Sequence, residues 1–210
     1  YEIINDKNGF DVVIGNPPYV EYSVARKTYR LPNSKYLTEK SGNLFAFVLE
    51  LCTNVSSIRS KVGMIIPLSA FCTARMEVMN KLLYENFSFN YISYFGFRPA
   101  KLFEGANRTI GIGIYDRKRS NIKSNTYTTA YRKWSSEYRE FLFEAINYYK
   151  FDKFYINYQY PKIEQNVEDS ILDKVFKKTK KVANYRALTE KKHCIYYRNV
   201  GGLYWKIITD

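Results

Sequence analysis

The stretch that decides the fold is Phe10-Asp11-Val12-Val13-Ile14-Gly15-Asn16-Pro17-Pro18-Tyr19, near the start of the 210-residue chain. It opens with a short β-branched run, which is typical of a buried parallel strand. The glycine, the asparagine and the two prolines that follow stop this strand in an abrupt, rigid turn. Open α/β sheets place their ligands at the carboxyl ends of their strands. The stretch therefore predicts a strand that delivers residues 16–19, hereafter the corner, to a binding site.

Hydrophobic periodicity beyond the corner predicts alternating helices and strands. Spacings of three and four indicate one face of a helix, whereas short apolar runs that end at turn residues indicate buried strands. The predicted elements are a helix from Leu44 to Ile58, a strand from Val62 to Ile66, a helix from Phe71 to Tyr84, and strands from Tyr91 to Phe97 and from Thr109 to Tyr115.

This order predicts an α/β fold, namely the C-terminal half of a doubly wound, Rossmann-like sheet that ends in a β-hairpin at its edge. The pattern changes after Lys118, so we expect one unit at 1–118 and a mixed α+β extension at 119–210. In the extension we predict a helix from Ser136 to Tyr149, a helix capped by Ser170 that runs to about Val182, and a strand-like end from Ile195 to Ile208.

Composition favours a soluble, cytoplasmic protein with an acidic partner. The formal net charge is +13, and nucleic acid is the commonest partner of such a basic chain. The 21 tyrosines suit either base stacking or ordinary packing. No apolar run approaches the roughly 20 residues of a membrane span. The three cysteines are widely spaced, which predicts reduced thiols.

The corner has the chemistry to hold an amino group. Its two prolines fix φ and remove two backbone donors, which leaves carbonyl oxygens and the Asn16 side-chain oxygen as acceptors. An amino group with two hydrogens fits a pair of such acceptors. We predict that Asn16 and the carbonyl of Pro17 form this pair, and that Tyr19 is placed to stack on a flat ring.

The opening stretch resembles the fourth motif of gamma-class DNA adenine methyltransferases. Later segments are similar to that family in the same order, so the resemblance covers roughly Phe10 to Tyr115. The arrangement is similar, more narrowly, to combined type II restriction-modification enzymes, in which a methylase region precedes a target-recognition region. The matching later segments are Asn43-Leu44-Phe45 at a helix start, Gly63-Met64-Ile65-Ile66-Pro67 as the next strand, and Leu102-Phe103-Glu104-Gly105 before the last hairpin strand.

The resemblance implies S-adenosylmethionine-dependent methylation of the exocyclic amino group of adenine in double-stranded DNA, within a bacterial restriction-modification system. The target base would be flipped out of the duplex, because it cannot otherwise reach the corner. The four catalytic residues implied are Asn16, Pro17, Pro18 and Tyr19, with Tyr19 also binding the flipped adenine.

Further roles follow from the same resemblance. Phe103 would meet the other face or edge of the adenine, although ordinary core packing explains it equally well. Asn107 and Arg108 would lie beside the pocket and touch the DNA backbone. Residues 1–118 would be the catalytic half-domain, and 119–210 a connector with the start of a recognition region. In that region we name Lys181 and Arg198 as DNA-binding candidates.

The cofactor site departs from the family pattern. The family's methionine-binding glycine loop precedes the fourth motif, and only residues 1–9 lie there. We expect Asn16 at most to contact the cofactor, with the other contacts and any nuclease outside the chain. The segment alone is then expected to bind the cofactor poorly and to be inactive. Gly111-Ile112-Gly113 lies in a strand-like run, so we reject it as the loop. We predict no metal site and assign no role to His193.

Two alternatives stay open. Related Asn-Pro-Pro-Tyr enzymes methylate a glutamine amide of a release factor or an RNA base, but they usually end soon after the last hairpin strand. Here the basic, aromatic extension favours DNA. A non-catalytic DNA-binding or specificity subunit that retains the fold is the other alternative, and the intact corner at Asn16–Tyr19 argues against it.

Overall fold

A computed structural model describes residues 8–28, 36–117 and 123–189, with side chains up to Lys177. Six strands form one mixed sheet, and α-helices follow three of these strands along the chain. The strands are β1 (Phe10–Gly15), β2 (Ser56–Pro67), β3 (Phe87–Phe95), β4 (Ile110–Arg117), β5 (Asn125–Arg132) and β6 (Tyr149–Phe151). The helices are α1 (Tyr22–Ala25), α2 (Leu44–Val55), α3 (Ser69–Cys72), α4 (Glu77–Asn86) and α5 (Asn166–Thr189).

The sheet order is β1-β2-β4-β3-β5-β6. Strands β1 and β2 are parallel, β4 is antiparallel to both β2 and β3, and β5 is parallel to β3. Strands β1, β2, β3 and β5 therefore all run in one direction. Their carboxyl ends share one edge of the sheet, which is where α/β sheets bind ligands.

The predicted α/β fold class is confirmed, and the predicted hairpin is the β3–β4 pair. The placement of this hairpin at the edge of the sheet was wrong, because β4 lies between β2 and β3. The residues of β4 explain its central position. From Ile110 to Tyr115 the strand carries no charge, so it can be enclosed by strands on both sides.

The sheet continues beyond Lys118. Strand β5 pairs with β3, and β6 pairs with β5. The helix predicted from Ser136 to Tyr149 was wrong: Ser136–Tyr138 is a single 3₁₀ turn, further turns follow, and Tyr149 begins β6. Tyr149, Lys150 and Phe151 include two aromatic residues that favour strands, and their pairing with β5 accounts for the strand at Tyr149 only. The division after Lys118 stays a prediction.

Helix α5 begins earlier than predicted. It starts at Asn166, and the Ser170 hydroxyl donates to the Asn166 carbonyl inside the helix instead of capping its start. The Glu168 carboxylate accepts hydrogen bonds from the backbone nitrogens of Glu164 and Gln165 at the helix start. The strand predicted from 195 to 208 lies outside the described residues.

The core lies between the sheet and helices α2 and α4. Leu49 of α2, Ile66 of β2 and Leu83 of α4 are all completely buried. Strand β1 is parallel to β2, as predicted, but its predicted burial was wrong: it lies at the edge of the sheet, and Ile14 is 81% exposed and Val12 59% exposed. Within the described ranges, no helix is both long enough and apolar enough to cross a membrane.

Two of the three cysteines lie in this core, and both are free thiols, as predicted. Burial raises the pKa of the Cys52 thiol to about 11 and that of the Cys72 thiol to about 12. Both are therefore protonated and unreactive at neutral pH. Cys194 lies outside the described residues.

Candidate functional site

The corner directly follows the last residue of β1, at the shared carboxyl edge of the sheet. Gly15 pairs with Met64 of β2, and the chain then turns away from the sheet. Pro17 is buried, whereas Asn16 and Pro18 are exposed. No group in the described ranges bonds the Asn16 side chain. A buried proline thus supports an accessible amide whose oxygen is free to accept hydrogen bonds.

Tyr19 is fixed by contacts on two sides. Its hydroxyl donates to the Ile65 carbonyl oxygen at 2.9 Å, and its ring meets the Phe45 ring edge-on, with centroids 6.5 Å apart. Burial raises the pKa of the Tyr19 hydroxyl, and the positive charge of Arg108 opposes that rise. Tyr19 is therefore a neutral hydrogen-bond donor whose ring orientation is set by β2 and α2.

Arg108 reaches the corner from the β3–β4 connection. Its guanidinium carbon lies 5.9 Å from the centroid of the Tyr19 ring, which is a cation–π contact. Asn107, beside it in the chain, is exposed. A flat ring stacked on this face of Tyr19 would meet Arg108, so the guanidinium must move aside or cover that ring.

The segment after the corner is tied to the start of α2. The backbone nitrogen of Leu44 donates to the Val20 carbonyl at 2.9 Å, and that of Tyr22 donates to the Gly42 carbonyl at 2.8 Å. Asn43 directly precedes the helix, as predicted for the segment Asn43-Leu44-Phe45. These bonds hold the corner against the helix that packs on the sheet.

An ion pair that sequence reasoning missed stabilises this connection. Arg75 pairs with the Glu21 carboxylate and also donates to the Gly42 carbonyl oxygen at 2.9 Å. Arg75 holds the pKa of Glu21 below its ordinary value. Arg75 lies 54 positions after Glu21, so no local spacing could have signalled the pair.

Phe103 lies in the β3–β4 connection and is half-buried. It opens a turn in which the Ala106 nitrogen donates to the Phe103 carbonyl at 3.2 Å, and Gly105 has a φ of +82° that favours glycine. In the part of the chain that the structure describes, no ring contact joins Phe103 to Tyr19. Two other predicted residues, Arg198 and the Lys181 side chain, lie outside the described residues, as does His193.

An apolar pocket of about 210 Å³ lies on the Pro18 side of the corner. The ring of Phe47 forms the aromatic wall of this pocket. Its centroid lies 5.3 Å from the centroid of the Tyr22 ring and 4.9 Å from that of the Tyr36 ring. The pocket is suited to a flat apolar group, and Glu39 adds a carboxylate. Its lining residues are Pro18, Tyr22, Tyr36, Glu39, Leu44, Phe47, Val48 and Leu51.

Gly111 and Gly113 lie inside β4, as predicted when they were rejected as a cofactor loop. A Cβ at Gly111 would come within 2.3 Å of the Phe71 ring, and one at Gly113 within 2.4 Å of the Tyr115 hydroxyl. Both glycines therefore make room for buried aromatic rings. Among the described residues, no three His, Cys, Asp or Glu side chains cluster as a metal site would require.

Residues 1–103 match the family described as Eco57I restriction-modification methylase. This match confirms the predicted family resemblance. It covers the corner, α2, β2, α4 and β3, and it ends at Phe103. No curated protein matches the chain with statistical significance.

A solved structure of a protein–DNA complex shares the fold over part of the chain. A cryoEM structure of a DrdV–DNA complex matches with a TM-score of 0.53 and 15% identity, covering 70% of this chain and 18% of that chain. This likeness shows a common fold and no more.

Two further structures match with TM-scores below 0.5. The ATP-dependent Type ISP restriction-modification enzyme LlaBIII bound to DNA matches at 0.45 with 19% identity, over 57% of this chain and 10% of that one. A modification subunit of a putative type I restriction enzyme from Vibrio vulnificus YJ016 matches at 0.45 with 15% identity, over 70% and 34%. The chain thus spans between 10% and 34% of the length of each of these structures.

Proposed function

We propose that this protein takes part in S-adenosylmethionine-dependent methylation of the exocyclic amino group of adenine in DNA, within a restriction-modification system. The observation that carries the proposal is the accessible, unbonded amide of Asn16 on a buried proline at the carboxyl edge of the sheet. The match of residues 1–103 to the Eco57I family supports the same reaction.

The corner would activate the amino group by accepting a hydrogen bond from each of its two N–H groups. Adenine's amino nitrogen is a poor nucleophile because its lone pair is delocalised into the ring. Two fixed acceptors, the Asn16 oxygen and the Pro17 carbonyl, would favour a pyramidal nitrogen whose lone pair points at the methyl group. Positioning of this kind, with fixed electrostatics, supplies most of the catalysis in a direct displacement.

The flipped base needs a platform, and Tyr19 is the residue best placed to supply it. Its hydroxyl bond to Ile65 and its edge contact with Phe45 hold the ring in one orientation. Arg108 then has two uses: it covers the ring when no base is bound, and it pairs with a phosphate once the base has entered. Phe103 would close the far side of the base.

Part of the methyl donor, S-adenosylmethionine, would fit a pocket formed by the described residues. The apolar pocket beside Pro18 would hold the adenosine portion of S-adenosylmethionine against Phe47, with the Glu39 carboxylate available to a hydroxyl or amino group. When bound, the donor supplies a sulfonium methyl group that the amino nitrogen attacks in line. The corner would fix the nitrogen on that line.

The test is transfer of labelled methyl from S-adenosylmethionine by the protein expressed from its own gene. Duplex DNA, RNA and a glutamine-containing peptide serve as parallel substrates, and the product nucleoside is identified by mass spectrometry. We expect N6-methyladenine in DNA only. Asn16→Ala should lower the rate about a thousandfold, since loss of one oriented polar group costs about 10² to 10³ and the acceptor pair acts as a unit.

Asn147→Ala is the matched control, because Asn147 is exposed and lies far along the chain from the corner. It should methylate at the wild-type rate. Undiminished transfer by Asn16→Ala would refute the role given to Asn16. Methylation confined to RNA or to the peptide would refute the choice of substrate.

A further inference from the structure

A second concave surface lies at the same edge of the sheet as the corner. It is an open basin of about 830 Å³ between the chain that leaves β3 and the chain that leaves β5. Three of its lining residues are cationic and none is acidic. The lining residues are Phe97, Arg98, Pro99, Lys101, Asn107 and Lys133, and we call this surface the cationic basin.

Backbone hydrogen bonds hold the two walls of the cationic basin together. The Gly96 nitrogen donates to the Arg132 carbonyl at 2.8 Å, and the Ala100 nitrogen donates to the Trp134 carbonyl at 3.0 Å. A Cβ at Gly96 would lie 3.3 Å from the Lys133 side chain, so glycine permits this close approach. The basin is thus a built surface with a fixed shape.

A small apolar cluster supports the floor of the basin. The rings of Phe95 and Trp134 meet edge-on with centroids 5.9 Å apart, and both side chains are buried. Ala100 and Leu142 complete the cluster. This support distinguishes the basin from a loose group of surface lysines, because the backbone that carries the cations is held by buried apolar packing.

Among the described residues, no carboxylate neutralises the three cations. Arg98 lies over the Phe97 ring at 5.3 Å, and Lys133 lies over the Tyr131 ring at 5.8 Å. None of the three ion-pairs with a carboxylate among the described residues, although Arg132 next to Lys133 pairs with Glu164. Exposed cations without partners are suited to bind an anion from outside.

The cationic basin begins beside the corner. Asn107 lines it, and the next residue, Arg108, lies over the ring of Tyr19. A base that enters the corner remains attached to its own phosphates, so the DNA backbone must pass close to this rim. A basin with three free cations at that point offers those phosphates charge and hydrogen-bond donors.

We propose that the cationic basin holds backbone phosphates of the DNA strand that carries the flipped base. The inference rests on the proposed function and adds a binding surface to it. The Arg98 guanidinium would donate two hydrogen bonds to one phosphate. Lys101 and Lys133 would attract phosphates as point charges, and the Asn107 amide would donate to a phosphate oxygen. These contacts would position the DNA without reading its sequence.

The experiment removes the three charges and measures the salt dependence of DNA binding. The variant Arg98→Gln/Lys101→Gln/Lys133→Gln is compared with wild type by fluorescence anisotropy on a labelled duplex of mixed sequence. Each lost phosphate contact lowers the slope of log K against log salt by about 0.9. We expect the slope to fall in magnitude by roughly 2 to 3, with the largest affinity loss at low salt.

A matched control variant makes the same charge change elsewhere. Arg59, Lys123 and Lys150 are exposed, lie toward the opposite edge of the sheet, and ion-pair with no described carboxylate. The triple change Arg59→Gln/Lys123→Gln/Lys150→Gln should leave the slope close to that of wild type. Thermal unfolding of both variants checks that neither has lost its fold.

The outcomes separate this proposal from the proposed function. If wild type methylates DNA and both variants change the slope equally, phosphate binding by the cationic basin is refuted and the proposed function stands. If wild type neither binds duplex DNA in a salt-dependent way nor methylates it, both proposals fall. A slope lowered only by the basin variant supports phosphate binding in the cationic basin.

Discussion

The corner and the glycine pair of β4 both look like functional motifs in the sequence, yet the structure gives them opposite environments. The corner follows the end of β1, and Asn16 is exposed with no partner in the described ranges. Gly111 and Gly113 lie in the middle of the sheet, beneath the rings of Phe71 and Tyr115. Position relative to the end of a strand therefore decides whether such a segment binds ligands or makes room for packing.

The two environments predict opposite effects of substitution on reaction rate and on stability. A change at Asn16 should alter chemistry and leave stability nearly constant, because the side chain contacts little of the protein. A change at Gly111 should do the reverse. Measuring both rate and unfolding free energy for each variant tests the contrast more strongly than either measurement alone.

Gly111→Ala should give the largest change in stability. The new methyl group would overlap the Phe71 ring, which is completely buried and held edge-on by Tyr94 and Tyr160. Overpacking of this kind costs about 1 to 3 kcal/mol, and the rigid ring places the effect near the upper end. Urea denaturation followed by fluorescence gives the unfolding free energy.

Gly63→Ala is the matched control, from the neighbouring strand β2. A Cβ there would meet only the Ile14 side chain, at an ordinary contact distance of 3.9 Å. We expect a change in unfolding free energy within about 0.5 kcal/mol. Equal losses for the two glycines would show that the aromatic packing over Gly111 does not determine its identity.

Much of the fold was predictable because it depends on local patterns. The β-branched run before the corner, the apolar spacing of α2 and the run ended by Pro67 each report a nearby structure. Contacts between distant segments left no such signal. The strand order around β4 and the ion pair of Glu21 with Arg75 both join segments far apart in the chain.

The candidate site divides in the same way. Asn16–Tyr19 gives a signal in the sequence, because its rigid turn directly follows a strand, where open α/β sheets place their ligands. The cationic basin does not, since Arg98, Lys101 and Lys133 come from two connections that meet only after β3 and β5 have paired. The Ser136–Tyr149 segment shows the limit of periodicity, because its helical spacing forms only a 3₁₀ turn and further turns before Tyr149 enters β6.

Tyr19→Phe should give an intermediate effect and tests how far the corner depends on its support. The change removes the hydroxyl that donates to the Ile65 carbonyl, and a net loss of about 1 kcal/mol is expected for one such bond. The ring remains, so stacking on a base should survive with a rate loss of less than about tenfold.

Tyr138→Phe serves as the control for this change. Tyr138 is 61% exposed, so its hydroxyl can bond to water in both the folded and unfolded states. Its removal should leave the unfolding free energy unchanged. If Tyr19→Phe also has no effect on stability, the hydroxyl bond to β2 does not hold the corner in place.

Tyr115→Phe should give the smallest effect, and with the opposite sign. The Tyr115 ring is completely buried over Gly113, and its hydroxyl has no hydrogen-bond partner among the described groups. Burial raises the pKa of this hydroxyl far above its ordinary value, so it stays protonated and neutral. Deleting an unsatisfied polar group should increase the unfolding free energy by about 0.5 to 1 kcal/mol.

Tyr160→Phe is the control for the sign of this change in unfolding free energy. Tyr160 is equally buried, but its hydroxyl donates to the Asn80 carbonyl oxygen at 3.3 Å. Its removal should therefore lower the unfolding free energy, because one buried hydrogen bond is lost. If both variants are destabilised alike, the Tyr115 hydroxyl has a partner in solution and packing over Gly113 is not its only role. Opposite signs would show that the buried Tyr115 hydroxyl, unlike that of Tyr160, makes no stabilising hydrogen bond in the folded protein.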